Sequence, residues 1–204
     1  MKLFDTIAAW SSYLYIRLHI MRFWSIVHAW LFERDTQAPL KRFDSISDLA
    51  KFVGTLKWRA DTWKDLWDSV SSIGAIMWRA LYAPGRAIGD CDEFGRLIAC
   101  SIRNELWINP QWNGGGAHDA KLLTVMWRSA SGAYEGHNVA LLEYGRFTGR
   151  KAYAYMDYGL PSDKRSTIEE VVADIRNRYS GGCAPLSFAV SDPGTLKPLL
   201  VRRA

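Results

Sequence analysis

One cysteine stands between acidic residues in the segment GDCDEF, residues 89–94. Apolar residues recur at helical spacing after it, which predicts that Cys91 lies in the first turn of a helix. Free backbone N–H groups and the positive end of the helix dipole favour a thiolate there, whereas the neighbouring Asp92 and Glu93 oppose it. We therefore expect Cys91 to be a nucleophile whose pKa is lowered with the help of a cation, most simply an imidazolium.

A candidate base and a carboxylate to orient it lie in three β-like runs, at 121–127, 137–144 and 151–158. The glycine-bounded segment GRFTGR joins the second run to the third and predicts a hairpin. His137 opens the second run and Asp157 closes the third. Because the start of one hairpin strand lies beside the end of the next, we expect these two side chains to be neighbours.

Cys91 in GDCDEF, His137 in GHNVALLEY and Asp157 in AYAYMDYG resemble the Cys, His and Asp of the transglutaminase-like superfamily of papain-like cysteine enzymes. The likeness is greatest to the bacterial and phage-encoded transglutaminase-like cysteine peptidases, and it covers about residues 45–160. The separations of 46 and 20 residues and the order helix, strand, strand are similar to the family's. The resemblance implies an α+β, papain-like fold in which the nucleophile helix packs on an antiparallel sheet.

The resemblance also implies thiol-dependent amide chemistry on a protein or peptide substrate. Cys91 would attack the carbonyl, His137 would act as base and then acid, and Asp157 would orient the imidazole. Hydrolysis would make the chain a peptidase or amidase, and acyl transfer to an amine would make it a transglutaminase. The backbone N–H of Cys91 is one expected oxyanion donor. The second donor stays open among tryptophan and glutamine side chains: Trp58, Trp63, Trp67, Trp78, Gln37 and Gln111.

A second hypothesis is a non-catalytic structural or interaction protein, such as a phage virion or assembly component, built on the same fold. The chain has 10 tryptophans in 204 residues, and such side chains supply large contact areas in interfaces.

The remaining cysteines and histidines indicate neither a disulfide framework nor a cofactor. Cys100 is expected inside the nucleophile helix and Cys183 in a loop or at a strand end. No histidine or cysteine spacing is typical of a metal site, so we expect no metal and no cofactor. His118 is the alternative base, and Asn138 the alternative orienting group, although Asn138 should point to the opposite face of the strand from His137.

Residues 1–40 are expected to form an aromatic-rich helical extension, and residues 41–204 are expected to form the hydrolase domain. The apolar stretch 7–32 contains Arg17 and Arg22, each costing roughly 2.5–3.5 kcal/mol in a bilayer, so neither a spanning helix nor a signal peptide is expected. Two interpretations of residues 1–34 remain: a helix packed on the domain or a partner subunit, or a helix lying at a membrane surface. We expect a cytoplasmic or virion-associated protein.

The net charge of +5 is spread along the chain, which does not favour specific nucleic-acid binding. Local signals predict further elements. These are a helix capped by Ser45 with Asp48, a helical stripe from Trp63 through Trp67 and Met77 to Leu81, and a helix with a Ser166–Glu169 capping box and a buried stripe up to Ile175. They also include an edge strand in LSFAVSD and an exposed basic tail.

Overall fold

The computed structural model describes residue 7 and residues 20–59, 71–83, 85–109, 111–112, 116–145 and 150–203. These residues form a mixed α+β structure with one five-stranded antiparallel sheet and a small two-stranded parallel sheet. The elements, in chain order, are α1 (Ile20–Phe32), α2 (Ile46–Gly54), β1 (Lys57–Trp58), α3 (Ile73–Tyr82), β2 (Ala87–Gly89), α4 (Cys91–Ile108), β3 (Ala117–Arg128), β4 (Tyr134–Tyr144), β5 (Ala152–Met156), α5 (Ile168–Tyr179), β6 (Pro185–Ser191) and β7 (Pro198–Arg203).

The large sheet has the strand order β5-β4-β3-β6-β7. The three predicted β runs therefore form adjacent strands, and Ala140 pairs with Met156 across the β4–β5 hairpin. The prediction that LSFAVSD is an edge strand was wrong, because β6 lies between β3 and β7. The tail supplies the edge instead: it turns back after Asp192 and pairs Val201 with Ala189, and its last arginines are exposed.

Side-chain alternation divides the core between the two faces of this sheet. Ala140 and Leu142 of β4 face α4, whereas Val139 and Leu141 belong to the cluster that contains the buried side chains of α5. Both helices thus cover the same strand from opposite sides. This arrangement decides which residues of β4 can contact each helix.

The predicted starts of α2 and α5 are confirmed, except that the capping box of α5 lies one residue later than expected. Ser45 caps α2 and accepts from the Asp48 N–H at 3.2 Å, as predicted. The capping box of α5 uses Thr167 and Glu170 rather than Ser166 and Glu169. The Glu170 carboxylate accepts from the Ser166 N–H at 2.7 Å, which leaves Ser166 one residue ahead of the cap.

Gly95 allows α4 to lie unusually close to the sheet. A Cβ at this position would lie 2.9 Å from Leu122 Cδ1 and 3.3 Å from backbone atoms of both Asn138 and Val139. Since two of these neighbours are backbone atoms of β4, they cannot move aside as a flexible side chain could. The glycine therefore sets how near the first turns of α4 come to β4.

The end of the N-terminal extension contacts the domain through Glu33. Its carboxylate is buried and accepts from the Ser72 N–H at 2.8 Å, at the start of α3. Burial alone would raise the pKa of Glu33, but hydrogen bonds from His28, Ser72 and Ser71 lower it to about 2. Glu33 therefore links α1 to α3 as a buried anion.

The other predictions for the extension fall mostly outside the described residues, as do Trp63 and Trp67 of the predicted helical stripe. Within the described part of the chain, no helix combines the length and the apolar character that are needed to cross a bilayer. Of the predicted stripe near α3, Met77 is buried in the core and Leu81 packs against it.

Gly95→Ala should lower the free energy of unfolding by about 1–3 kcal/mol, because the added methyl group pushes α4 away from β4. Gly54→Ala is the matched control, since a Cβ at Gly54 meets no atom within 4 Å. The free energy of unfolding of that variant should rise by about 0.5–1 kcal/mol, because alanine has a higher helix propensity than glycine. Urea denaturation measures both, and equal midpoints for Gly95→Ala and wild type would contradict the close approach.

Glu33→Gln should lower the free energy of unfolding at neutral pH by about 1–2 kcal/mol, because it removes charge from a buried, hydrogen-bonded carboxylate. The pKa of Glu33 lies at about 2 rather than 4.5, so its contribution is complete above about pH 4.5 and is lost as the pH falls towards 2. The difference from wild type in urea denaturation should therefore shrink over that range. Glu169→Gln, at an exposed carboxylate, should change little, and an equal effect of both variants would argue against the link.

Candidate active site

Cys91 is the first residue of α4, as the sequence predicted. Asp90 caps the helix and accepts from the Asp92 N–H at 2.9 Å, while the Glu93 carboxylate accepts from the Asp90 N–H at 3.2 Å. Glu93 Oε1 also accepts from the Ser71 N–H at 3.0 Å. The acidic residues around the cysteine thus build and anchor the helix start.

His137 and Asp157 are joined by a hydrogen bond of 3.0 Å between His137 Nε2 and Asp157 Oδ2. Both side chains are buried, with His137 8% and Asp157 6% exposed. β4 begins at Tyr134, so His137 lies three residues inside the strand rather than at its start, and Asp157 directly follows β5. Because a carboxylate only accepts, Nε2 carries the proton and Nδ1 is left as the basic nitrogen.

Tyr179, the last residue of α5, completes this cluster and was not identified from the sequence. Its hydroxyl donates to Asp157 Oδ2, and its ring lies 4.1 Å from the His137 ring, centroid to centroid. The signal that could have identified it is the buried stripe of α5, since Tyr179 continues the spacing of Val171 and Ile175 by one more turn.

Cys91 lies near the same part of β4 but is not bonded to His137. Its thiol donates to Asp92 Oδ1 at 3.6 Å. The sulfur also accepts a hydrogen bond from the backbone N–H of Asn138, the residue that follows His137 in β4. Among the described residues, no hydrogen bond links the Cys91 thiol to the His137 ring. Strand alternation explains this: His137 shares its face of the sheet with the α5 cluster, whereas α4 covers the other face.

The expectation that the helix start lowers the pKa of Cys91 was wrong for this arrangement. Burial is the largest effect and raises the pKa of the thiol, and the negative charges of Asp92 and Asp90 raise it further. The Asn138 N–H opposes them but does not reverse the direction. Cys91 is therefore a neutral thiol at physiological pH and needs a base to become a nucleophile.

Asn138 holds the first turn of α4 against β4. Its Nδ2 donates to Asp92 Oδ1, and its Oδ1 accepts from the Thr124 hydroxyl on β3. The side chain thus points away from the His137 face, as strand alternation predicted, and its role is to connect Asp92 to the sheet.

Tyr158 lies between the two parts of the site. Its ring makes an edge contact with Phe94 of α4 at 4.8 Å and lies 6.5 Å from the His137 ring, centroid to centroid. Burial raises the pKa of its hydroxyl, and the charges of Asp157 and Asp90 raise it further. Tyr158 is therefore close to the cysteine and to the His–Asp pair at once.

The candidates for the second oxyanion donor differ in their surroundings. Gln37 Nε2 donates to Glu33 O at 2.8 Å and to Ser72 Oγ at 3.0 Å, and Trp58 is exposed. Trp78 lines a cavity of about 770 Å³ beside β2. Trp63 and Trp67 fall outside the described residues.

Three potential metal ligands, Asp90, Cys91 and Asp92, have donor atoms within 4.8 Å of one another. Asp90 is already the helix cap, and Asp92 accepts from both Cys91 and Asn138. Their hydrogen bonds account for this cluster as the start of α4, and we assign no metal to it.

The chain matches no protein-family model and no curated protein sequence. The resemblance to transglutaminase-like enzymes thus depends on the motif residues and their spacing alone.

Asp92→Asn should increase the rate at which iodoacetamide alkylates Cys91 at pH 7 by several-fold, because it removes a negative charge next to the sulfur while keeping an oxygen that can accept from Asn138. The rate is measured by mass spectrometry in a Cys100→Ser, Cys183→Ser background. Asp163→Asn, at an exposed site, should leave it unchanged. Two results together would contradict the conclusion that Asp92 raises the pKa of Cys91. Cys91 in the wild-type protein would react as fast as free cysteine, and Asp92→Asn would not increase that rate.

Proposed function

We propose that the chain is a cysteine-dependent peptidase, amidase or acyltransferase of transglutaminase-like type that uses Cys91, His137 and Asp157. The observation that carries the proposal is the buried hydrogen bond between His137 and Asp157. The residue after His137 in β4, Asn138, contacts the Cys91 sulfur through its backbone N–H. An oriented imidazole beside a helix-start cysteine is what acyl transfer by a thiol requires.

The protonation states lead to a sequence of steps. Asp157 holds the Nε2–H of His137, so Nδ1 takes the proton from the Cys91 thiol as the sulfur attacks the substrate carbonyl. The carbonyl oxygen becomes an oxyanion near the Cys91 backbone N–H, and His137 then gives its proton to the leaving amine. Water or a second amine attacks the resulting thioester, which yields hydrolysis or acyl transfer respectively.

Substrate binding has to bring the sulfur and Nδ1 together, because no hydrogen bond joins them without substrate. Catalytic hydrogen bonds are commonly long in unliganded enzymes and tighten in the substrate complex. A neutral resting thiol agrees with this order of events, since the proton leaves the sulfur only when the base is in place.

The arrangement of elements supports the finer classification as a papain-like, transglutaminase-like core. The nucleophile helix α4 packs on an antiparallel sheet, and the candidate base and carboxylate follow on adjacent strands β4 and β5. This is the order that the sequence resemblance implies.

A non-catalytic interaction protein on the same fold is the second candidate. The raised pKa of Cys91 and the exposed aromatic side chains of α1, namely Phe23, Trp30 and Phe32, favour it. Such a protein would need the fold but not the thiol.

Turnover of peptide amides and of glutamine-containing peptides with an added amine distinguishes the two candidates. Cys91→Ala and His137→Ala should abolish turnover, and Asp157→Asn should lower it by orders of magnitude, because the neutral amide cannot stabilise imidazolium. Cys100→Ala, inside the same helix, is the control and should retain activity.

Thermal melting of the same preparations separates chemistry from folding. We expect Asp157→Asn to melt close to wild type. If Asp157→Asn keeps most of the activity that His137→Ala lacks, Asp157 is not the third member. If wild type and Cys91→Ala are equally inactive on both substrate types, the interaction protein is the better assignment.

A further inference from the structure

Two donors converge on a single oxygen of Asp157. Asp157 Oδ2 accepts from His137 Nε2 at 3.0 Å and also from the Tyr179 hydroxyl. The other oxygen, Oδ1, is buried and has no hydrogen-bond partner among the described residues. The carboxylate is therefore fixed through Oδ2, by the tyrosine on one side and the histidine on the other.

Tyr179 also contacts the histidine ring itself. The two rings lie 4.1 Å apart with 32° between their planes, close to stacking. A single side chain thus restricts both partners of the His–Asp pair: its hydroxyl fixes the carboxylate, and its ring limits rotation of the imidazole.

The position of Tyr179 is itself well fixed. Ile175 and Val171, one and two turns earlier in α5, are fully buried against the sheet. Ser180 ends the helix, with its N–H donating to the Arg176 carbonyl at 3.0 Å. The Arg178 guanidinium lies 5.4 Å from the centroid of the Tyr179 ring, so both His137 and Arg178 border this ring.

We propose that Tyr179 is a positioning residue of the active site, which holds Asp157 through its hydroxyl and the His137 ring through its aromatic face. Its catalytic consequence rests on the function proposed above, but its structural consequence does not. Among the described residues, Tyr179 makes no hydrogen bond to the sulfur or to the basic Nδ1, so it acts by holding Asp157 and the imidazole ring. Burial and the hydrogen bond to Asp157 raise the pKa of Tyr179, which keeps its hydroxyl a donor throughout the physiological range.

The hydroxyl and the ring have separable effects. Tyr179→Phe removes one of two competing donors on Asp157 Oδ2 and keeps the ring, so the remaining hydrogen bond from His137 becomes stronger. Tyr179→Leu removes the ring as well and leaves the imidazole free to rotate. The two variants therefore change the His137–Asp157 bond in opposite directions.

The test is proton NMR of the full chain, using the low-field resonance of the His137 Nε2 proton, assigned by its loss in His137→Ala. In Tyr179→Phe we expect the resonance to move further downfield, and in Tyr179→Leu to broaden or disappear. Tyr144→Phe, at a buried tyrosine at the far end of β4, is the matched control and should leave it in place. An unchanged resonance in both Tyr179 variants would overturn the proposal.

Kinetics provide the second measurement. Tyr179→Leu should lower kcat by about tenfold with little change in KM, because it frees the imidazole to rotate and so disturbs the orientation of the base and not substrate binding. An equal loss in Tyr144→Phe would mark the effect as general destabilisation and count against a positioning role. If the wild-type chain has no turnover, the proposed function fails, while the NMR result still decides the role of Tyr179.

Discussion

The close packing of α4 on β4 is the constraint on which the rest of the site depends. Gly95 permits the approach, and the bond from Asn138 to Asp92 holds the first turn of the helix in register with the strand. Because Cys91 precedes Asp92, the same contacts place the sulfur beside the Asn138 N–H. A bulkier residue at position 95 would move the helix start, and with it the cysteine, away from the strand that carries His137.

The carboxylates that stabilise the start of α4 disfavour a thiolate at Cys91. Carboxylates are favourable in the first turn of a helix, where they satisfy free N–H groups and interact with the dipole. Here Asp90 and Glu93 form the capping box around the cysteine, and Asp92 accepts from Asn138. Burial raises the pKa of Cys91, and the negative charges of Asp92 and Asp90 raise it further. The fold thus gains a well-anchored helix and leaves the thiol dependent on a base.

The sheet distributes the site between two helices. Residues 137 and 138 are consecutive but project to opposite faces, so His137 meets α5 and Asn138 meets α4. The candidate base is therefore held by Asp157 and Tyr179 on one side, while the nucleophile is held on the other. Tyr158, in contact with Phe94 and close to His137, connects the two halves at the end of β5. In the proposed mechanism, substrate binding brings Nδ1 and the sulfur together.

Features that depend on short stretches of chain could be predicted from the sequence alone. The start of α4 at Cys91, the cap at Ser45 and the β4–β5 hairpin follow from local capping, periodicity and turn residues. The contact of His137 with Asp157 follows as well, because a short hairpin leaves few alternatives. The capping box of α5 was misplaced by one residue, since Ser166 and Thr167 can both accept and the choice depends on how α5 meets the sheet.

What only the tertiary structure decided depends on contacts between distant segments. The pairing of the C-terminal tail with β6 turned a predicted edge strand into an interior one. Burial of the helix start under other elements reversed the expected direction of the Cys91 pKa. The packing of α5 brought Tyr179 to Asp157 across 22 residues. The sequence by itself determined which residues could do chemistry and which of them are neighbours along a hairpin. Their burial, the face of the sheet on which they lie and their partners on other elements were decided by packing, because local sequence carries little information about desolvation or about contacts between distant segments.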